Sequence, residues 1–128
     1  RGHNGEGIAW QVGVALPRAE RDAIERVLPL TDSALATSGD YRNFFDYQGR
    51  RYSHEIEPAS GQPVNNDVAS VSVLHASCML ADAYATAFMV LGAERSRHEK
   101  NCACCFCCVR VRASKCVRQR IFRRRGDE

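Results

Sequence analysis

The sequence predicts an α+β chain, mostly antiparallel sheet with a packed helix. Three observations predict it. Short runs alternate apolar with polar residues and are cut by Gly, Pro, Asn and Asp. Between Ser77 and Gly92 the alternation gives way to an apolar stripe at helical spacing. At 128 residues and 45% hydrophobic content, the chain is long enough to bury one modest core.

Residues 10–16 alternate in part between a Gly-rich lead and Pro17, and read as a strand. The lead, Gly2-His3-Asn4-Gly5-Glu6-Gly7, precedes a strand rather than joining a strand to a helix. It therefore fails the dinucleotide-binding pattern, and His3 is read as a loop residue. Residues 24–30 give a second strand, which Pro29 places at an edge or a strand end. Residues 33–37 make a third, running into the small-residue turn Ser38-Gly39-Asp40, where backbone can approach a ligand closely.

Tyr41, Phe44, Phe45 and Tyr47 form an aromatic cluster expected in the core. Gln48-Gly49 reads as a hairpin turn into a strand over residues 50–57. Period-two alternation there sets Tyr52, His54 and Ile56 on the inward face, with Arg51, Ser53, Glu55 and Glu57 on the other. Pro58-Ala59-Ser60-Gly61 is a turn, with Pro presetting φ and Gly closing it. Residues 68–74 alternate cleanly and read as a half-buried strand. Ser77 is the expected helix N-cap and Gly92 the residue past its end. Leu80, Ala81, Tyr84, Ala85, Phe88 and Leu91 supply the apolar face.

Within that helix the run Ala81-Asp82-Ala83-Tyr84-Ala85-Thr86-Ala87 sets a carboxylate and a hydroxyl at i and i+4, on one face. A hard cation such as Mg²⁺ suits such a pair, because it takes oxygen ligands and completes its shell with water and phosphate. A solvated Asp beside a Thr bonded to its own backbone gives the same spacing.

Read with two upstream stretches, this run resembles the ApbE-type FAD:protein FMN transferases, once named thiamine-biosynthesis lipoproteins. The resemblance lies in Thr37-Ser38-Gly39-Asp40-Tyr41-Arg42, then Tyr52-Ser53-His54-Glu55-Ile56-Glu57-Pro58-Ala59-Ser60-Gly61, then the Asp82/Thr86 run through Gly92. It spans residues 2 to about 94 and covers that family's C-terminal half. Glu57 stands where the family more often has Asp, and Ser60 where it often has Thr.

The resemblance implies a C-terminal piece of a flavin transferase domain, with FAD as substrate and Mg²⁺ held partly by Asp82 and Thr86. It also implies a flavin site touched by Thr37, Ser38, Gly39, His54 and Ile56. His54 is the implied base for an acceptor Thr or Ser hydroxyl, since imidazole titrates near neutrality. FMN would pass to that hydroxyl and AMP would leave. Some relatives hydrolyse FAD instead, with water as acceptor. The acceptor proteins implied are membrane redox subunits, such as those of sodium-pumping quinone reductases, and the implied place is the bacterial periplasm, as an inner-membrane lipoprotein.

Charge and cysteine divide the chain at the point where the resemblance ends. Residues 1–94 hold 7 Arg and 12 acids, 7 − 12 = −5, whereas residues 95–128 hold 11 Lys+Arg and 3 acids, 11 − 3 = +8. Six of the seven cysteines also lie in the second part. Residues 1–94 are read as the transferase part and 95–128 as a Cys/Arg-rich tail, disordered or frame-shifted.

A second reading builds a small zinc- or nucleic-acid-binding protein on residues 98–125. Cys102, Cys104, Cys105, Cys107 and Cys108 offer C-x₂-C spacings, with Cys116 and His98 to complete a site. Crowding of the thiols into one short segment argues against it, and the basic run after Cys116 lacks the interleaved stacking aromatics or fold motif that would make binding specific, so no nucleic-acid partner is expected. No run is long enough to span a bilayer and no signal peptide opens the chain. The chain opens at Arg1 rather than Met, so residues are expected before it.

Overall fold

The computed structural model describes residues 2–16, 23–41, 43–98, 106–111 and 117–119. Strands dominate, with one long helix: β1 (Trp10–Ala15), β2 (Ile24–Leu30), β3 (Ala34–Gly39), β4 (Phe44–Tyr47), β5 (Arg50–Ser53), β6 (Ile56–Glu57), β7 (Gln62–Pro63), β8 (Val68–His75), α1 (Cys78–His98), β9 (Phe106–Val111) and β10 (Val117–Gln119). All described pairings are antiparallel. The α+β expectation is borne out.

The main sheet runs β10-β9-β8-β3, and β1-β2, β4-β5 and β6-β7 form separate ribbons. Alternation decides which side of β3 and β8 meets the helix. Ala34, Ala36 and Ser38 share a face of β3, and Val71 and Val73 lie across from Ser38 and Ala36 on β8. Val71 and Val73 join Val68, Ala81, Ala85, Phe88 and Met89 in the core, with Ala34 and Ala36 packed against it.

β8 is buried on both faces from Val68 to Val73, not half-buried as its alternation predicts. It is a central strand, flanked by β3 and β9. Its serines do not mark a solvent face: Ser72 is 2% exposed, and its hydroxyl meets the Thr37 hydroxyl at 2.8 Å. That contact satisfies the buried Ser72 hydroxyl from Thr37, which is itself exposed.

α1 begins as its sequence predicts, the Ser77 hydroxyl accepting the Leu80 N–H at 3.4 Å and its carbonyl the Ala81 N–H at 3.0 Å. Ala81, Ala85, Phe88 and Met89 form the buried stripe, while Leu80 and Leu91 are each 37% exposed. Gly92, at φ 79° and ψ 170°, takes an extended positive-φ conformation open essentially to glycine, rather than the αL geometry of a helix-ending residue. The helix nevertheless resumes beyond it to His98. Asn66 bridges the interruption, its amide donating to the Met89 carbonyl at 2.8 Å and its oxygen accepting the Val68 N–H at 2.9 Å.

The aromatic run does not enter the core. Phe45 and Tyr47 are 51% and 60% exposed. Phe45 instead stacks on Tyr52 across β4 and β5, with ring centroids 5.2 Å apart, and Arg51 lies 3.5 Å over the Phe44 ring. Gln48 and Gly49 both take positive φ, making the predicted hairpin turn.

The composition break near residue 94 is not a break in structure. α1 passes through it, and β9 pairs along β8 from Leu74↔Phe106 to Val68↔Val111. The zinc reading falls on Cys102, Cys104, Cys105 and Cys116, which lie outside the described residues, as do the side chains of His98, Cys107 and Cys108. Among the described residues no helix is long and apolar enough to cross a membrane.

Candidate functional site

Asp82 and Thr86 sit one turn apart on α1, both on its exposed side. The buried stripe at Ala81, Ala85 and Phe88 fixes the rotation of the helix and so turns the neighbouring positions outward. Asp82 has no hydrogen bond or ion pair among the described residues. Thr86 does have a partner: its hydroxyl lies 3.2 Å from the Ser38 hydroxyl at the end of β3. The T-S-G run and the A-D-A-x-A-T run, 48 residues apart in sequence, therefore meet.

The predicted contacts on β3 do not all share this place. Thr37 is on the opposite face of the sheet, paired with Ser72. Gly39 ends the strand, and the space a Cβ would fill is taken: Tyr41 ring atoms would lie 2.7 and 3.0 Å from it and the Ala69 carbonyl oxygen 3.2 Å. Its close approach is to Tyr41 and to β8. The expected turn starts at Asp40 instead of Ser38, two residues later.

The 50–57 stretch departs further. It is two short strands, and the inward positions are Ser53 and Glu55, 3% and 9% exposed, rather than His54 and Ile56. The Ser53 hydroxyl accepts the Glu55 N–H at 3.2 Å, and this local turn separates β5 from β6. Ile56 is 50% exposed and His54 is exposed. His54 Nδ1 is 2.8 Å from the Asn43 carbonyl. A carbonyl only accepts, so Nδ1 carries the proton and the neutral ring keeps its lone pair on Nε2. Downstream, the Ser60 hydroxyl donates to the Glu57 carboxylate at 2.8 Å and holds the turn.

Sequence reasoning missed the buried carboxylates Asp40 and Glu55. Asp40 is 4% exposed, and Glu55 Oε2 is enclosed with no hydrogen-bond partner among the described residues. Burial pushes the Glu55 carboxyl above the usual carboxylate range; a protonated His54 ring next to it would oppose this, and the Asp40 charge adds to it. Only the wrong choice of inward face hid Glu55, because alternation itself was visible.

Among the described residues no three His, Cys, Asp or Glu side chains gather as a metal cluster. An open cleft lined by Asp32, Ser33, Ala34, Ala76, Ser77 and Cys78 lies at the start of α1 and contains none of the predicted site residues.

Against known families, the ApbE family matches residues 1–105. The chain belongs to the ApbE family. An ApbE relative from Vibrio cholerae, named FAD:protein FMN transferase, is 46% identical over 95 residues, which is 74% of this chain and 28% of that protein. The Vibrio cholerae flavin transferase ApbE structure superposes with TM-score 0.77 at 36% identity, over 95% of this chain and 39% of that one. The ApbE protein of Thermotoga maritima gives TM-score 0.76 at 30% identity, over 87% of this chain and 36% of that one. The match to the ApbE family runs past residue 94, about where the motif resemblance ends.

Proposed function

We propose that this chain supplies the helix-and-sheet side of a Mg²⁺-dependent site that moves FMN from FAD to a protein hydroxyl. The relatives' shared name, FAD:protein FMN transferase, supports the reaction class. The observation that carries the reading to residues is the Ser38–Thr86 contact, which gathers two hydroxyls beside the Asp82 helix turn. A carboxylate with no partner among the described residues and a nearby hydroxyl are the oxygen donors a hard cation prefers. One carboxylate is enough where water and substrate phosphates fill the remaining positions.

In this reading Asp82 and Thr86 hold Mg²⁺. When bound, the ion supplies charge neutralisation to the pyrophosphate as the phosphoanhydride breaks. The acceptor Thr or Ser oxygen attacks the FMN phosphorus, the bond from that phosphorus to the bridging oxygen breaks, and AMP leaves with that oxygen. His54 takes the acceptor's proton on Nε2, the nitrogen left free by the Nδ1–Asn43 bond. An exposed imidazole suits an acceptor that arrives on another protein. The acceptor class is a membrane redox subunit and the place the bacterial periplasm, on an inner-membrane lipid anchor, both by family resemblance. Residues 95–128 are assigned no part in the chemistry.

Flavin fluorescence tests it. FAD is expected to bind the chain in Mg²⁺ and not in EDTA, and Asp82→Ala is expected to abolish binding. His54→Ala is expected to keep Mg²⁺-dependent binding while losing transfer to an acceptor. Binding indifferent to both EDTA and Asp82→Ala would sink the proposal.

A further inference from the structure

The inference concerns Ser38 and rests on the reading of Asp82 and Thr86 as donors to a divalent cation. A hydroxyl that gives a lone pair to a cation must turn its proton away, and that proton needs an acceptor. Groups that accept such protons fix the ligand's orientation and matter to affinity nearly as much as the ligands do. For Thr86 the local choice is the carbonyl one turn back on its own helix. The structure offers another acceptor, Ser38 Oγ, at 3.2 Å.

The face of β3 that meets α1 reads Ala34, Ala36, Ser38. Two methyl groups pack on the core and the third position is a hydroxyl, placed where the helix surface passes from buried Ala85 to exposed Thr86. Thr37 cannot substitute, because it is committed to Ser72 on the other face.

We propose that Ser38 is a positioning residue for Thr86. Ser38 Oγ accepts the Thr86 hydroxyl proton, which turns the Thr86 lone pairs toward a cation beside Asp82. The Ser38 proton is then left to point at an anionic oxygen of the bound phosphate. The chain of donors runs from Thr86 to Ser38 to phosphate, so each hydroxyl donates once. A tie between strand and helix that served folding alone would need none of this ordering.

Mn²⁺ is the probe, because its free ion is counted by electron paramagnetic resonance without any turnover. The full chain is titrated as wild type, Asp82→Asn, Thr86→Val, Ser38→Ala, Ser38→Thr and the Thr86→Val/Ser38→Ala double variant. Wild type is expected to bind, and Asp82→Asn and Thr86→Val to lose most affinity. Ser38→Ala is expected to weaken binding about tenfold, at the low end for loss of an outer partner of a metal ligand. Ser38→Thr, which keeps the hydroxyl, is expected to restore it. In the Thr86→Val background Ser38→Ala is expected to change nothing further.

Should Ser38→Ala lose its fold by circular dichroism, Ser38→Cys carries the test, since sulfur fills the space but accepts weakly. Ser38→Ala and Ser38→Cys at wild-type affinity, while Thr86→Val loses it, overturns the inference alone. So does a full additional loss in the double variant. Wild-type chain that takes up no Mn²⁺, or Asp82→Asn that takes up as much, overturns the metal reading and the inference with it.

Discussion

Glu55→Gln should make the protein more stable at neutral pH, and the gain should vanish in acid. Glu55 is 9% exposed and its Oε2 has no hydrogen-bond partner among the described residues. Burial raises its carboxyl above 4.5, with Asp40 adding to the rise and a protonated His54 opposing it. A carboxyl easier to protonate when folded makes the native state bind more protons than the unfolded one. Stability therefore falls as pH climbs from about 4.5 through the raised folded value, and the penalty is complete above it.

Gln keeps the shape and removes the charge. The Gln amide is no better partnered than the neutral carboxyl, so the substitution removes only the added cost of burying a charge, about 1 kcal/mol for a group this close to the surface. With a urea slope of about 1–3 kcal/mol/M, the midpoint should rise by a few tenths molar at pH about 7. Urea unfolding followed by circular dichroism at pH about 4.5, 5.5, 7 and 8 reads the difference. Equal midpoints at neutral pH, or a gain that persists unchanged in acid, would refute the burial argument.

Other substitutions probe the frame that holds the site. Gly39→Ala puts a methyl 2.7 Å from the Tyr41 ring and should cost about 1–3 kcal/mol by chemical denaturation. Met89→Ala empties a position that is 1% exposed in the core and should cost about 2–5 kcal/mol, read the same way. Asn66→Ala removes the bonds to Met89 and Val68 and should cost about 1–3 kcal/mol. Asn66→Asp keeps the Val68 bond but faces the Met89 carbonyl with a carboxylate, so it should be no milder than Ala at neutral pH. Hydrogen exchange near Gly92 should rise in both Asn66 variants.

What the sequence revealed was local. The strand at Trp10, the turns at Gln48-Gly49 and Pro58–Gly61, and the cap at Ser77 depend on neighbours, and all are present. Asp82 and Thr86 were visible as a pair because helical spacing alone sets them on one side. Ser38's part was not visible, since its partner lies 48 residues away and only sheet topology brings them together. Alternation puts His54 on the inward face because its strand neighbours Tyr52 and Ile56 are apolar, and the structure exposes it. Tyr52 instead spends its ring on Phe45, and the inward positions fall to Ser53 and Glu55. The apolar stripe read from the sequence runs to Leu91 and omits Met89, although 81, 85 and 89 recur at i+4 spacing and Met89 is 1% exposed.

The T-S-G run shows why a motif should be divided by face before roles are assigned. Its neighbours Thr37 and Ser38 are adjacent in sequence but on opposite sides of a sheet. Thr37 answers to Ser72, a nearly enclosed hydroxyl on the central strand that would otherwise be an orphan. Ser38 answers to Thr86 on the exposed side of α1. Gly39, next again, answers to the Tyr41 ring and the Ala69 carbonyl. Three consecutive small residues thus have three separate causes: a hydroxyl pair with the central strand, a hydroxyl contact with α1 and a close backbone approach. A larger residue at either flanking position would shift β3 against β8 and α1. The Ser38 contact with Thr86 thus depends on its neighbours through strand position.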